Sequence, residues 1–211
     1  MAINEWEALF RAAGKGDPEA QLALGVRFAN GDGVEKNEAQ AAAWFRRAAE
    51  SGNARAACFL GVCYLRGQGV DASVPTAMEW LVQAARGGFA DASYIIGAAY
   101  ANGQGVPKDD ATAFHWFFRA AEGGHTVATA DVGFCYFHGR GVERDEKEAA
   151  RWFHKAARAG LPAAQFNLAL LYFEGKGVEK DRDEAEAWLR AAADGGSQEA
   201  KSFLQKHYGD A

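Results

Sequence analysis

The tetrapeptide Gly-x-Gly-Val occurs five times, starting at Gly31, Gly67, Gly103, Gly139 and Gly175, each 36 residues after the one before. A phosphate-cradling or catalytic loop has no reason to recur at fixed spacing. A turn in a stack of like supersecondary units must do so. The period therefore confines the chain to an array whose units bury their apolar faces only against their neighbours. Counted from Asp17, the units are 17–52, 53–88, 89–124, 125–160 and 161–196, and the remainder forms capping helices at 4–16 and 197–208. The expected fold is all-α, a single solenoid domain over 1–211 with no separate catalytic domain.

Each unit reads as two helices. The first repeats an apolar stripe at a spacing of four: Ala20, Leu24 and Phe28, then Ala56, Leu60 and Tyr64, and so on to Ala164, Leu168 and Tyr172. Such spacing keeps one helical face apolar. Beside it stand Gly25, Gly61, Gly97, Gly133 and Ala169. Glycine inside a helix costs roughly 1 kcal/mol against alanine, so close helix approach is its expected reason. The second helix carries Ala41, Trp44, Phe45, Ala48 and Ala49 and their equivalents. Its tryptophans, at 44, 80, 116, 152 and 188, are expected to be core.

Between the helices, the first glycine suits a left-handed C-cap, the second keeps the turn tight, and Val34 and its equivalents plug the loop. Asn37, Ser73, Asp109, Asp145 and Asp181 then have N-cap chemistry. Gln40, Glu148 and Glu184, three residues later, would complete capping boxes. A capping side chain thus occupies each site where a phosphate would sit.

Composition narrows the function. A net charge of −5 supplies no basic field for nucleic acid. No stretch approaches the roughly 18 apolar residues of a membrane helix, and the first twenty residues show no signal-peptide pattern, so membrane insertion is not expected. Cys58, Cys63 and Cys135 are odd in number and irregular in spacing, which favours a reducing compartment, the cytoplasm, with periplasmic or secreted location as the alternative if a signal peptide has been removed. Cys135-x-x-His138 is the nearest approach to a metal-ligand pair and has no second pair in register. His115, His125 and His154 lack an acid or nucleophile at usable spacing. No catalytic residue, metal or cofactor is expected, and a hydrolase or metal protein ranks last.

The motifs together, as in LGVCYLRGQGV and DEKEAARWFHKAARAG, resemble the Sel1-like repeat, a relative of the tetratricopeptide repeat, over residues 4 to 208. The resemblance implies a right-handed superhelix of antiparallel helix pairs that serves as an adaptor in protein complexes. Some secreted relatives carry one disulfide per repeat and a few act on β-lactams. This chain lacks the regular cysteines and has no Ser-x-x-Lys, so that activity is not carried over.

On the first helices, positions three, six, ten, thirteen and fourteen of the repeat point about 150 to 240° away from the core stripe. In tetratricopeptide-like arrays they line a concave groove. The expected partner-binding residues are Arg55, Val62, Leu65, Arg66, Tyr94, Asn102, Phe134, Phe137, His138, Leu170, Phe173 and Glu174. Position six, which includes Cys58, Tyr94 and Phe166, suits inter-repeat core equally well. A second apolar patch, Met78, Val82, Phe114 and Phe118, would serve a weak homodimer or another partner, with inter-repeat packing as the alternative. The functional expectation is a non-enzymatic module that binds a protein or peptide. Its variant is an inhibitor or immunity-type protein that neutralises one partner enzyme or toxin.

Overall fold

A computed structural model describes residues 5–209, with twelve α-helices and no strand among them. They are α1 (Glu5–Gly14), α2 (Pro18–Asn30), α3 (Glu38–Glu50), α4 (Ala54–Arg66), α5 (Val74–Arg86), α6 (Ala90–Asn102), α7 (Asp110–Glu122), α8 (Thr126–His138), α9 (Glu146–Arg158), α10 (Pro162–Glu174), α11 (Arg182–Asp194) and α12 (Gln198–Tyr208). Asn4, where the sequence places the start of the N-terminal cap, lies outside the described residues, as do the first three and last two residues of the 1–211 domain. Helices α2 to α11 form five helix–turn–helix repeats of an all-α solenoid, with α1 and α12 as the lone end helices. The chain divides into two compact units, Met1–Ile96 and Gly97–Ala211, the division falling inside α6.

In the first unit α1 packs on α2, α2 on α3, α3 on α4 and α4 on α5. In the second, α7 through α12 pack in the same successive manner. The glycines of the first helices explain how close these pairs come. A Cβ at Gly25 would stand 2.5 Å from the Phe45 ring, one at Gly61 2.8 Å from Leu81, one at Gly97 2.7 Å from Phe117 and one at Gly133 3.0 Å from Phe153. The fifth repeat pairs Ala169 with the smaller Leu189 in one buried cluster. Around these contacts Leu24, Leu60, Leu81, Val132, Leu168 and Leu189 are fully buried, flanked by alanines that let the helices close.

The tryptophans are a correction. All five in register are half-buried, and the next residue, Phe45, Leu81, Phe117, Phe153 or Leu189, takes the interior site. Adjacent helical residues differ by about 100°, so only the one that meets the glycine can point inward. Two of the indoles meet a ring of the preceding repeat: Trp152 lies 5.3 Å from Phe118 and Trp188 5.9 Å from His154. A cation one turn on covers several of them: Arg47 is 4.7 Å from the Trp44 ring centre, Arg119 5.6 Å from Trp116 and Lys155 5.0 Å from Trp152. Trp6, out of register, packs edge-on against Phe10 and Phe28 and closes the N-terminal end.

The loop follows from its hydrogen bonds. Gly31 adopts φ 82°, and its N–H donates to the Arg27 carbonyl at 2.8 Å, ending α2 in a left-handed cap. Asn37 caps α3 by accepting from the Gln40 N–H at 3.0 Å. Its own N–H donates to the Phe28 carbonyl at 2.9 Å, and Ser73, Asp109, Asp145 and Asp181 do the same to Tyr64, Tyr100, Tyr136 and Tyr172. The expected capping boxes are therefore only half formed. With the cap N–H already bonded to the first helix, the Glu148 carboxylate pairs with Arg151 instead.

The second glycine has a neighbour the sequence did not reveal. A Cβ at Gly69 would collide with the Glu38 carbonyl, one at Gly141 with that of Asp110 and one at Gly177 with that of Glu146. The loop of one repeat thus rests on the first turn of the second helix before it.

Replacing Gly97 by Ala is expected to destabilise the protein by about 1–3 kcal/mol through overpacking, despite the gain in helix propensity. Adding Phe117→Leu should recover part of the loss, as the Ala169–Leu189 pair indicates. Urea unfolding followed by circular dichroism measures both, and an unchanged midpoint for Gly97→Ala would remove close approach as the reason for the glycine. In the same assay Phe117→Ala should cost about 3–5 kcal/mol and Trp116→Ala clearly less, reversing the order expected if the tryptophans were the core.

Candidate partner-binding clefts

Successive first helices stand apart enough to leave clefts between them, and one occurs in each unit at the same repeat register. In the first unit, Val26 and Ala29 of α2 face Phe59 and Val62 of α4 across a 220 Å³ cavity floored by Phe45 and Cys63. In the second, Phe134 and Phe137 of α8 face Asn167 and Leu170 of α10 across 340 Å³, floored by Phe153 and Leu171. Each residue of the second set lies 108 positions after its counterpart, three repeats on. The cleft belongs to the repeat, while its lining changes from copy to copy.

The second-unit cleft brings together Phe134, Phe137, His138, Leu170 and Glu174 of the residues marked in the sequence. Phe134 is 39% exposed, and its ring lies 4.2 Å from that of His138, which also meets Phe137 edge-on at 5.0 Å. Phe137 is half-buried between Arg144, at 5.9 Å, and Lys176, at 5.7 Å. Lys176 pairs with Glu174 at 2.6 Å, so one rim of the apolar cleft carries a neutralised pair. Val62 is the marked residue that lines the first-unit cleft.

The other marked residues lie elsewhere. Phe173 packs on the C-terminal cap α12, with Phe203 at 5.1 Å and His207 at 5.3 Å, and Arg182 of α11 lies over its ring at 4.8 Å. Arg55 is exposed and stacks over Phe59 at 5.5 Å; Arg66 is exposed; Leu65 and Tyr94 are half-buried. Asn102 is exposed and donates to the Ala98 carbonyl at 3.0 Å, closing the end of α6. In the suggested second patch, Phe114 meets Tyr136 at 5.3 Å and Phe118 meets Trp152 at 5.3 Å. Those two rings make the inter-repeat packing that the sequence left open. Met78 and Val82 are half-buried.

The sequence missed position seven of the repeat. Phe59 and Asn167 stand there and line the two clefts, while Leu22 and Cys58 at position six are buried. The groove face is rotated toward position seven, about 100° from the core direction and just outside the arc marked on an ideal helix. The available signal was chemical scatter: the position holds Ala23, Phe59, Ile95, Asp131 and Asn167.

Asp131 is the unusual member. It is half-buried, and desolvation alone lifts its carboxyl to about 6. Burial acts on the thiols in the same direction, pushing Cys58 up to about 12 and Cys135 to about 11, which disfavours the reactive thiolate. His125, one of the histidines weighed as a catalytic group, caps α8 by accepting the Ala128 N–H on Nδ1 at 3.0 Å.

Family comparison agrees with this architecture. The Sel1 repeat matches at residues 18–53, 54–89, 90–125, 126–161 and 162–197. The chain belongs to the Sel1 repeat family. Among solved structures it is similar to a protective antigen with an SLR fold present in uropathogenic Escherichia coli strains, at 33% identity and TM-score 0.89, covering 96% of this chain and 44% of that one. A Sel1 repeat protein from Oxalobacter formigenes is 34% identical with TM-score 0.84, covering 92% of this chain and 80% of that one. An immunity protein from Pseudomonas aeruginosa, at 20% identity and TM-score 0.54 over 90% of this chain and 70% of that one, shares the fold alone. No curated protein matches the sequence.

Asp131 gives a signed pH prediction. The unfolded chain releases this proton near pH 3.9, whereas the folded protein holds it to about pH 6. Between those values the native state binds more protons, so the contribution of Asp131 to stability falls as pH rises and is fully adverse above 6. Asp131→Asn should therefore stabilise the protein at pH 8 by on the order of 1–3 kcal/mol, with the gain fading toward pH 4. Thermal unfolding at the two pH values reads this directly, and a pH-independent effect would contradict it.

Proposed function

We propose that the chain is a non-enzymatic protein-interaction module that holds an extended segment of a protein partner along its first helices, in the clefts between repeats. The observation that carries this reading is the α8–α10 cleft. Above a floor of core side chains, Phe153 and Leu171, it leaves Phe134 39% exposed, and His138, Asn167, Glu174 and Lys176 ring it. An apolar floor with a polar rim is how protein-binding surfaces are built. At 340 Å³ the cleft lies at the low end of the roughly 300–1,000 Å³ of small-molecule sites and suits one or two side chains of a larger partner. The three buried, unbridged cysteines support work in a reducing compartment.

Phe134→Ala combined with Leu170→Ala should abolish partner capture from a lysate of the source organism while leaving most of the folded stability. A protein retained by the wild-type chain and lost with the double variant, at comparable melting temperature, is the expected result. If that protein is a single enzyme held one-to-one, the chain acts as its inhibitor; if many proteins are held, it acts as a general adaptor. Identical retention by both baits would remove the cleft as the binding site.

A further inference from the structure

We propose that Asp131 forms a subsite that receives a basic side chain, a lysine or arginine, of the bound segment; this rests on the groove reading above. On α8 Asp131 occupies the position that Asn167 occupies on α10, 36 residues later, and Asn167 is a wall of the α8–α10 cleft. The repeat does not require an acid there, since the other copies carry Ala23, Phe59, Ile95 and Asn167.

The carboxylate has no internal purpose. Among the described residues no hydrogen bond or ion pair reaches it, and no cation offsets its desolvation. Arg140, which stands in the loop where Lys176 stands one repeat on, is committed elsewhere: it pairs with Asp110 at 3.2 Å and lies over the Phe134 ring at 5.9 Å. A carboxylate taken partly out of water without a partner lowers the stability of the free protein. An incoming ammonium or guanidinium would supply the missing charge and regain that energy as affinity.

The neighbouring residue adds the rest of the recognition. Phe134 lies one turn from Asp131, on the same side of α8, and is 39% exposed. A partner segment that lays an apolar residue on Phe134 brings an adjacent lysine or arginine within reach of Asp131. The expected ligand is thus a peptide with neighbouring apolar and basic residues.

Selection of a phage-displayed library of random dodecapeptides on the full chain tests this, with Asp131→Asn and Phe134→Ala as parallel baits. Asp131→Asn removes a destabilising charge, so it should fold at least as well as wild type. Wild-type selections should be enriched in lysine or arginine beside an apolar residue, and Asp131→Asn selections should keep the apolar residue and lose the basic one. Replacing the selected lysine by norleucine in a synthetic peptide should weaken binding to wild type about tenfold or more, and leave binding to Asp131→Asn unchanged. Peptides that depend on Phe134 but show no basic preference, or the same preference with Asp131→Asn, would overturn this subsite alone. No selected peptide that depends on Phe134 would overturn the groove reading and the subsite with it.

Discussion

The approach of the two helices of each repeat, with glycine (Ala169 in the fifth) on one side and a phenylalanine or leucine on the other, sets the rest of the structure. Because Gly25, Gly97 and Gly133 offer no Cβ, the rings of Phe45, Phe117 and Phe153 can lie against bare helix backbone. Dispersion and burial gained at that contact outweigh the roughly 1 kcal/mol that glycine costs a helix. The alanines at Ala48, Ala49, Ala84 and Ala85, all nearly or fully buried, are required by the same closeness. Once the separation is fixed, the carbonyls of Phe28, Tyr64, Tyr136 and Tyr172 come within reach of the N–H groups of the caps that start the second helices.

Those hydrogen bonds explain why the loop tolerates so little change. Its first glycine ends one helix, its fourth residue is a plug, and its cap residue serves both helices at once. The second glycine also makes the contact with the preceding repeat, at the carbonyls of Glu38, Asp110 and Glu146. One short motif thereby fixes geometry within a repeat and spacing between repeats. That coupling is the physical reason a strict 36-residue period persists while the residues between the motifs vary.

The period made the helix pairs, their boundaries and their caps legible in the sequence, because each depends on local chemistry repeated five times. Interior position was less legible. Trp44 and Phe45 are adjacent, both aromatic and both recurrent, and only the position of the facing glycine decides which goes inside. For the groove, an ideal helix places position six nearest the open face, yet inter-repeat packing buries Leu22 and Cys58 and turns Phe59 and Asn167 outward. That rotation depends on how α2 meets α4 and α8 meets α10, which no single-helix projection contains. Phe173 differs for another reason: its aromatic neighbours are Phe203, His207 and Tyr208, supplied by an end helix whose packing the repeat pattern does not describe.

The two helices of a repeat are not equivalent in what they offer a partner. The second helix α9 is strongly one-sided, with buried Ala149, Phe153 and Ala156 on one face and Lys147, Arg151 and Arg158 exposed on the other, which is the pattern of a helix that only needs to cover a core. Its partner α8 is apolar nearly all round. One face buries Ala128, Val132 and Cys135, while Val127 and Phe134 remain 41% and 39% exposed. A helix apolar on both faces either is enclosed on both sides or leaves one face for something else to cover. On α8 the face that carries Val127 and Phe134 is the one left open to solvent. Asp131 adds to that helix a half-buried carboxylate whose desolvation weakens the free fold.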